Sequence, residues 1–231
     1  MTNLPDLCWT EVDRAERRVV LVPLGSLEQH GPHLPLDTDT RIAVAVASSA
    51  ARLRDAVAVA PPITLGASGE HAGFPGTLSI GTPALTELLV ELGRDAARDW
   101  EAMLLVNGHG GNRDAVEAAL AQLHTEGRRA AVFHVSPRGG DAHAGRTETS
   151  LILHLDPGAV RTDRLQPGEV APAHELMDRL RSEGVRAVSP TGVLGDPVDA
   201  TAEEGERLLA ELIAACTRAL DGLLVAEAAR A

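Results

Sequence analysis

Apolar runs of strand length alternate with helix-length stretches from Arg17 to Leu155, and this alternation leaves few architectures open. Arg17–Pro23 (RRVVLVP), Ala56–Ala60, Ala102–Val106 (AMLLV) and Ala130–Val135 read as buried strands. The stretches Thr40–Leu53, Thr82–Trp100, Arg113–Glu126 and Thr147–Leu155 follow them in turn with helical character. Strand–helix–strand repeats of this kind predict an α/β fold, a mostly parallel sheet flanked by helices, with ligands gathered at the carboxyl ends of the strands. Helix-start signals mark the boundaries. Asp39 or Thr40 is placed to cap the first helix, Thr82-Pro83 to open the second and Asn112 to cap the third. Ala173–Arg181 reads as a further helix, and Thr201-Ala-Glu-Glu204 is a capping box opening a long one to about Ala226. At 231 residues, a single domain over 1–231 is expected.

The charge balance narrows the function. Net charge is −12 and no basic run stands out, so nucleic acid is not expected as a partner. All basic side chains are Arg, and neither Lys nor Tyr occurs, which excludes Schiff-base lysine chemistry, a P-loop lysine and a tyrosine general acid. Cys8 and Cys216 are too few and too far apart for a disulfide framework. No signal-peptide pattern or membrane-length apolar run is visible, so a cytoplasmic protein with no membrane partner is expected.

Candidate chemistry collects in four Gly-rich segments. Leu24–Thr40 (LGSLEQHGPHLPLDTDT) follows the first strand and carries Glu28, His30, His33, Asp37 and Asp39. In an extended backbone, Glu28 and His30 leave the same face. Imidazole nitrogen with carboxylate oxygen and no thiolate suits a hard or borderline divalent metal. A polar loop leading into a helix would also account for this segment read alone. The long loop Leu65–Gly81 carries Ser68, Glu70 and His71, and its length favours a functional role. No Gly-x-Ser-x-Gly pattern surrounds Ser68, which argues against a Ser68–His71 nucleophile pair. Asn107–Asn112 (NGHGGN) places His109 between glycines directly after a strand. It could cradle an anion at the helix start, but it lacks the lysine of a P-loop and the glycine spacing of a dinucleotide site. Asp141–Ser150 offers His143 and Glu148, although an acid at a helix start is equally explained by the helix dipole. His124, His134, His154 and His174 fall in or beside helices and strands and read as packed or surface side chains.

Together, PLGSLEQHGPHLPLDTD, GxSGEHxGFPGT, VNGHGGN and HAGxxETS, in this order, resemble the creatininase family of metal-dependent amidohydrolases. The likeness is strongest to the branch that acts in mycofactocin maturation, and the C-terminal VSPTGVLGDPVDATAEEGER extends it over nearly the whole chain. The resemblance implies a creatininase-like three-layer sandwich with two divalent ions, iron(II) and/or zinc(II), with manganese(II) also permitted by the ligand types. It implies Glu28, His30, Asp39 and His109 as ligands, Asp39 bridging and favoured over Asp37. One position departs from the pattern: where creatininase has a Glu two residues after the motif histidine, this chain has Gly111. Glu148 is assigned to that vacancy. His143 is expected to move protons, with Glu148 an alternative acid–base group, while Ser68, Glu70, His71, Gly110 and Gly111 line the substrate pocket. The implied substrate is the modified mycofactocin precursor peptide, cut before its cross-linked C-terminal Val-Tyr residues by metal-activated water. The alternatives are a creatinine or other cyclic-amide amidohydrolase, and a non-catalytic scaffold that binds metal or peptide. A homo-oligomer is also implied.

Overall fold

The computed structural model describes residues 2–137 and 139–225. Within them, five strands form one parallel sheet: β1 (Thr2–Asn3), β2 (Val19–Leu24), β3 (Val57–Val59), β4 (Ala102–Asn107) and β5 (Ala130–His134), in the order β1-β3-β2-β4-β5. The four expected strands are present, and β1 is an addition at the edge. β2 and β4 run side by side from Val19↔Ala102 to Leu24↔Asn107, so their carboxyl ends are level.

Both faces of the sheet are apolar, as helices on both sides require. Val19, Leu21, Leu104 and Val106 face a core built with α2 (Thr38–Ala51), α5 (Arg146–Leu155) and α8 (Ala202–Val225). Val20, Val22, Met103 and Leu105 face the opposite core, built with α3 (Thr82–Ala96) and α4 (Arg113–Thr125). The result is the expected three-layer sandwich. The short α1 (Trp9–Arg14) lies outside these layers' sequence, before β2. α6 (Ala173–Glu183) and α7 (Val185–Val188) form a separate apolar cluster with Phe74 and Leu194.

Helix starts depart from the expectations, and Asp39 and Asn112 bond elsewhere than at a cap. α2 begins at Thr38, which puts Asp39 inside the first turn and leaves Asp37 at the cap position. α3 takes Gly81 as its cap and ends at Ala96, short of Trp100. Asn112 sits at the α4 cap position without a side-chain cap bond: its amide donates to the carbonyl of Gly25 and to Asn107 Oδ1, and its oxygen accepts the Ala67 N–H. Only half of the Thr201–Glu204 capping box forms. The Glu204 N–H donates to Thr201 Oγ1 (3.1 Å), while the Glu204 carboxylate pairs with Arg146. α8 runs through Val225, and Ala226 and Arg138 lie outside the described residues.

Leu104, fully buried in the central pair of strands, tests this packing. Leu104→Ala is expected to lower unfolding free energy by about 2–5 kcal/mol, read from denaturant midpoints. Leu53→Ala, at an exposed position, should stay within about 0.5 kcal/mol of wild type.

Candidate metal centre

β2 and β4 lie at the point where the strand order reverses, since the chain leaves β2 for β3 on one side and returns to β4 on the other. In an open parallel sheet, the crevice beyond the carboxyl ends of such a pair is where ligands bind. The segments after β2 and β4 enter it together, and the first turn of α2 closes one wall. A Cβ at Gly108 would collide with the Asp39 carbonyl, so glycine there lets the two main chains approach and sets His109 against Asp39.

Asp39 stands between two imidazoles. Its Oδ1 lies 3.1 Å from His30 Nε2 and its Oδ2 lies 3.2 Å from His109 Nδ1, while Ser26 Oγ donates to Oδ2 (2.7 Å). Glu28 Oε2 lies 3.1 Å from His109 Nε2; Glu28 Oε1 lies 3.2 Å from His71 Nε2 and 3.8 Å from His143 Nδ1. Glu148 Oε2 lies 3.8 Å from His30 Nε2 and accepts the Ala144 N–H (2.6 Å). Three donor sets result: Glu28, Asp39 and His109; His30, His143 and Glu148; Glu28, His71 and His143.

Burial and charge set the protonation states. Burial alone would raise Glu28 and Asp39, but the neighbouring imidazoles reverse this. His109 brings Glu28 down to about 2, and His30 with His109 holds Asp39 well below the usual carboxylate range. Burial opposes charge on His30 and His109, yet Asp39 raises His30 to about 10 and Glu28 raises His109 well above its ordinary value. His143 is pushed well below by burial and by His30 and His71, and burial also lowers His71. Glu148 goes the other way: burial pushes it up to about 7 against the pull of His30.

These residues fit a divalent cation. Among the described residues, both Glu28 oxygens are buried with no hydrogen-bond partner, a costly state for a carboxylate unless a cation satisfies it. Donors each about 2.0–2.2 Å from one ion stand roughly 3–3.5 Å apart, which is the spacing found around Asp39. The donors are imidazoles and carboxylates. Cys8 is exposed near the N-terminus and Cys216 is buried in the α8 core.

The predicted positions gather closely. Glu28, His30, Asp39, His109, His143 and Glu148 share the crevice, whereas Asp37 turns to the surface and pairs with Arg41 at 2.7 Å. His71 joins the inner cluster. Ser68 Oγ approaches His109 Nε2 (3.4 Å), and Gly110 is exposed. The space a side chain at 111 would take is filled by Glu70, whose half-buried carboxylate lies 3.4 Å from His109 Nε2. Glu148, assigned to the Gly111 vacancy, sits by His30, whereas the carboxylate beside His109 is that of Glu70, expected only to line the substrate pocket. His33 hydrogen-bonds Thr149 instead of joining the donor sets (2.8 Å). His124, His154 and His174 are exposed, and His134 meets Asn107, as their positions suggested. Sequence reasoning passed over Ser26, Gln29, Asn107 and Asn112. The last two flank His109 in NGHGGN: the Asn112 amide ties the loop to Gly25 and Ala67, and the Asn107 amide donates to the His109 carbonyl.

The family description "Creatininase: Creatinine amidohydrolase" matches residues 5–220. The chain is 58% identical to the mycofactocin precursor peptide peptidase of Mycolicibacterium smegmatis over 86% of this chain and 82% of that protein. It is 53% identical to the protein of the same name from Mycobacterium tuberculosis, over 86% and 83%. The solved structure "Creatininase Mn" superposes with a TM-score of 0.79 at 26% identity, covering 95% of this chain and 97% of that one.

A metal ion must displace the protons that Asp39 and Glu28 hold on His30 and His109. Calorimetric titration of metal-free protein with zinc, in buffers of different ionisation heat, should therefore show proton release and an affinity that rises from about pH 6 to about pH 8. Binding without proton release would contradict these charge states.

Proposed function

The chain belongs to the creatininase family, and on that footing we propose that it is a metal-dependent C–N hydrolase that cleaves the modified mycofactocin precursor peptide and releases its cross-linked Val-Tyr-derived heterocycle. The reading rests above all on one observation, the unsatisfied Glu28 carboxylate buried among Asp39, His109 and His71. The substrate rests on the 58% and 53% identity to proteins named for that peptide.

In this reading, Glu28, Asp39 and His109 would hold one divalent ion, and His30 and Glu148, beside Asp39, would hold a second. When bound, the ions would polarise the amide carbonyl and make water nucleophilic near neutral pH. His143, kept neutral by burial, accepts a proton at a ring nitrogen and returns it to the leaving amine. Glu148, raised to about 7, is suited to carry a proton when it is not ligating. Ser68, Glu70, His71 and the Gly110–Gly111 main chain border the crevice and bind the peptide. The same reading includes iron(II) and/or zinc(II) as the metal, with manganese(II) accommodated by the same donors. It also includes assembly as a homo-oligomer and a cytoplasmic setting. Among the described residues, no helix is long and apolar enough to cross a membrane.

Purified protein given modified precursor peptide and, separately, creatinine distinguishes this reading from a cyclic-amide hydrolase. Peptide cleavage with creatinine untouched is expected; the reverse would transfer the chain to the cyclic-amide activity. Turnover of neither substrate by metal-loaded protein would favour a binding role. Asp39→Ala should lose bound metal by elemental analysis together with activity. His143→Ala should keep its metal while kcat falls by about 10²–10⁴. His124→Ala, at an exposed position whose ring meets the Ala130 carbonyl, should match wild type.

A further inference from the structure

The side-chain amide of Gln29 is held at both ends by main-chain groups with a single hydrogen-bonding role each. Its Oε1 accepts the Gly31 N–H (2.8 Å) and its Nε2 donates to the Gly192 carbonyl (3.1 Å). Turned over, the amide would face an oxygen to a carbonyl and an N–H to an N–H, so its orientation is fixed. Gln29 is buried, and Gly192, with φ at +82°, makes room for it: a Cβ at 192 would collide with the amide.

With the amide so fixed, its other N–H meets His71 Nδ1 at 2.9 Å, and that nitrogen must accept. The single proton of neutral His71 is then on Nε2, which lies 3.2 Å from Glu28 Oε1 but outside hydrogen-bonding geometry. His143 is fixed through the main chain of the same residue. Its Nε2 lies 2.8 Å from the Gln29 carbonyl oxygen, which can only accept, so Nε2 carries the proton. Its Nδ1, 3.8 Å from the same Glu28 oxygen, is a bare lone pair. The 3.0 Å approach of the Gln29 and His143 Nε2 atoms is therefore a contact between two N–H groups, because both amide hydrogens are already used.

We propose that Gln29 is a positioning residue that sets two imidazoles beside Glu28 to opposite tasks, His71 offering an N–H and His143 a lone pair. A protonated His71 Nε2 cannot ligate, so the Glu28–His71–His143 set is closed to a metal ion. Glu28, Asp39 and His109 on one side, and His30 with Glu148 on the other, remain open to a cation. His71 is left to hydrogen-bond negative charge and His143 to take up a proton. The tautomers follow from hydrogen bonding alone, and only their use in turnover rests on the hydrolase reading above.

Two-bond proton–nitrogen NMR correlation of the imidazole rings in metal-free protein, at a pH where both rings are neutral, reads the tautomers directly. In wild type, both His71 and His143 should show the Nε2–H form. Gln29→Ala should release His71 toward the Nδ1–H form while His143, held by the main chain, stays as it was. Gln29→Glu, which can only accept, should turn His71 fully to Nδ1–H. Wild-type His71 in the Nδ1–H form would overturn the proposal, as would an unchanged His71 in folded Gln29→Ala or a loss of both tautomers together. The wild-type spectrum decides even if neither variant folds. With the wild-type tautomers as expected, failure of peptide cleavage would count against the hydrolase reading and leave this one standing.

Discussion

Two carboxylates buried within a few ångströms of each other, Glu28 and Asp39, set the terms for everything around them. Removing one carboxylate from water costs several kcal/mol, and two together repel unless positive charge is brought to both. In the metal-free chain that charge sits on His30 and His109, which the carboxylates keep protonated. The compensation is incomplete, because neither Glu28 oxygen has a hydrogen-bond partner among the described residues. Divalent cations would satisfy those oxygens and release the imidazole protons. The energetic weakness of the apo cluster and the chemistry proposed for the loaded one thus have the same origin.

The scaffold brings these groups together by ordinary means. An apolar sheet packed on both faces fixes β2 against β4 in a register that ends both strands at one level. Their loops then start as neighbours at the strand-order reversal. Close main-chain approach at Gly108 delivers the first turn of α2, and with it Asp39, to His109. Around this centre, amides do the orienting: Asn112 and Asn107 hold the His109 loop, and Gln29 holds His71 and His143. Groups that cannot change charge thereby control groups that can.

The parallel sheet and its flanking helices were legible from periodicity, because buried strands and amphipathic helices leave strong patterns, and the loops that carry chemistry from their glycines, histidines and acids. Helix starts were less legible. Asp39 and Asn112 look like caps in sequence, and each is drawn instead into long-range bonds that no local signal encodes. Gln29 was missed for a related reason. An extended reading of Glu-Gln-His sends the middle residue away from its neighbours, but Gly31 (φ +65°) curls the segment so that all three meet the crevice. No local signal says which carboxylates stand near Gly111. In three dimensions, Glu70 fills the space at 111 while Glu148 reaches His30 from the opposite side.

Anomalous diffraction at the zinc edge, from crystals of the zinc-loaded protein, tests the central claim most directly. The account predicts two peaks flanking Asp39, one in contact with Glu28 and His109 and the other with His30 and Glu148. A crevice without anomalous signal, or a peak held by His71 and His143 with Asp39 untouched, would contradict it.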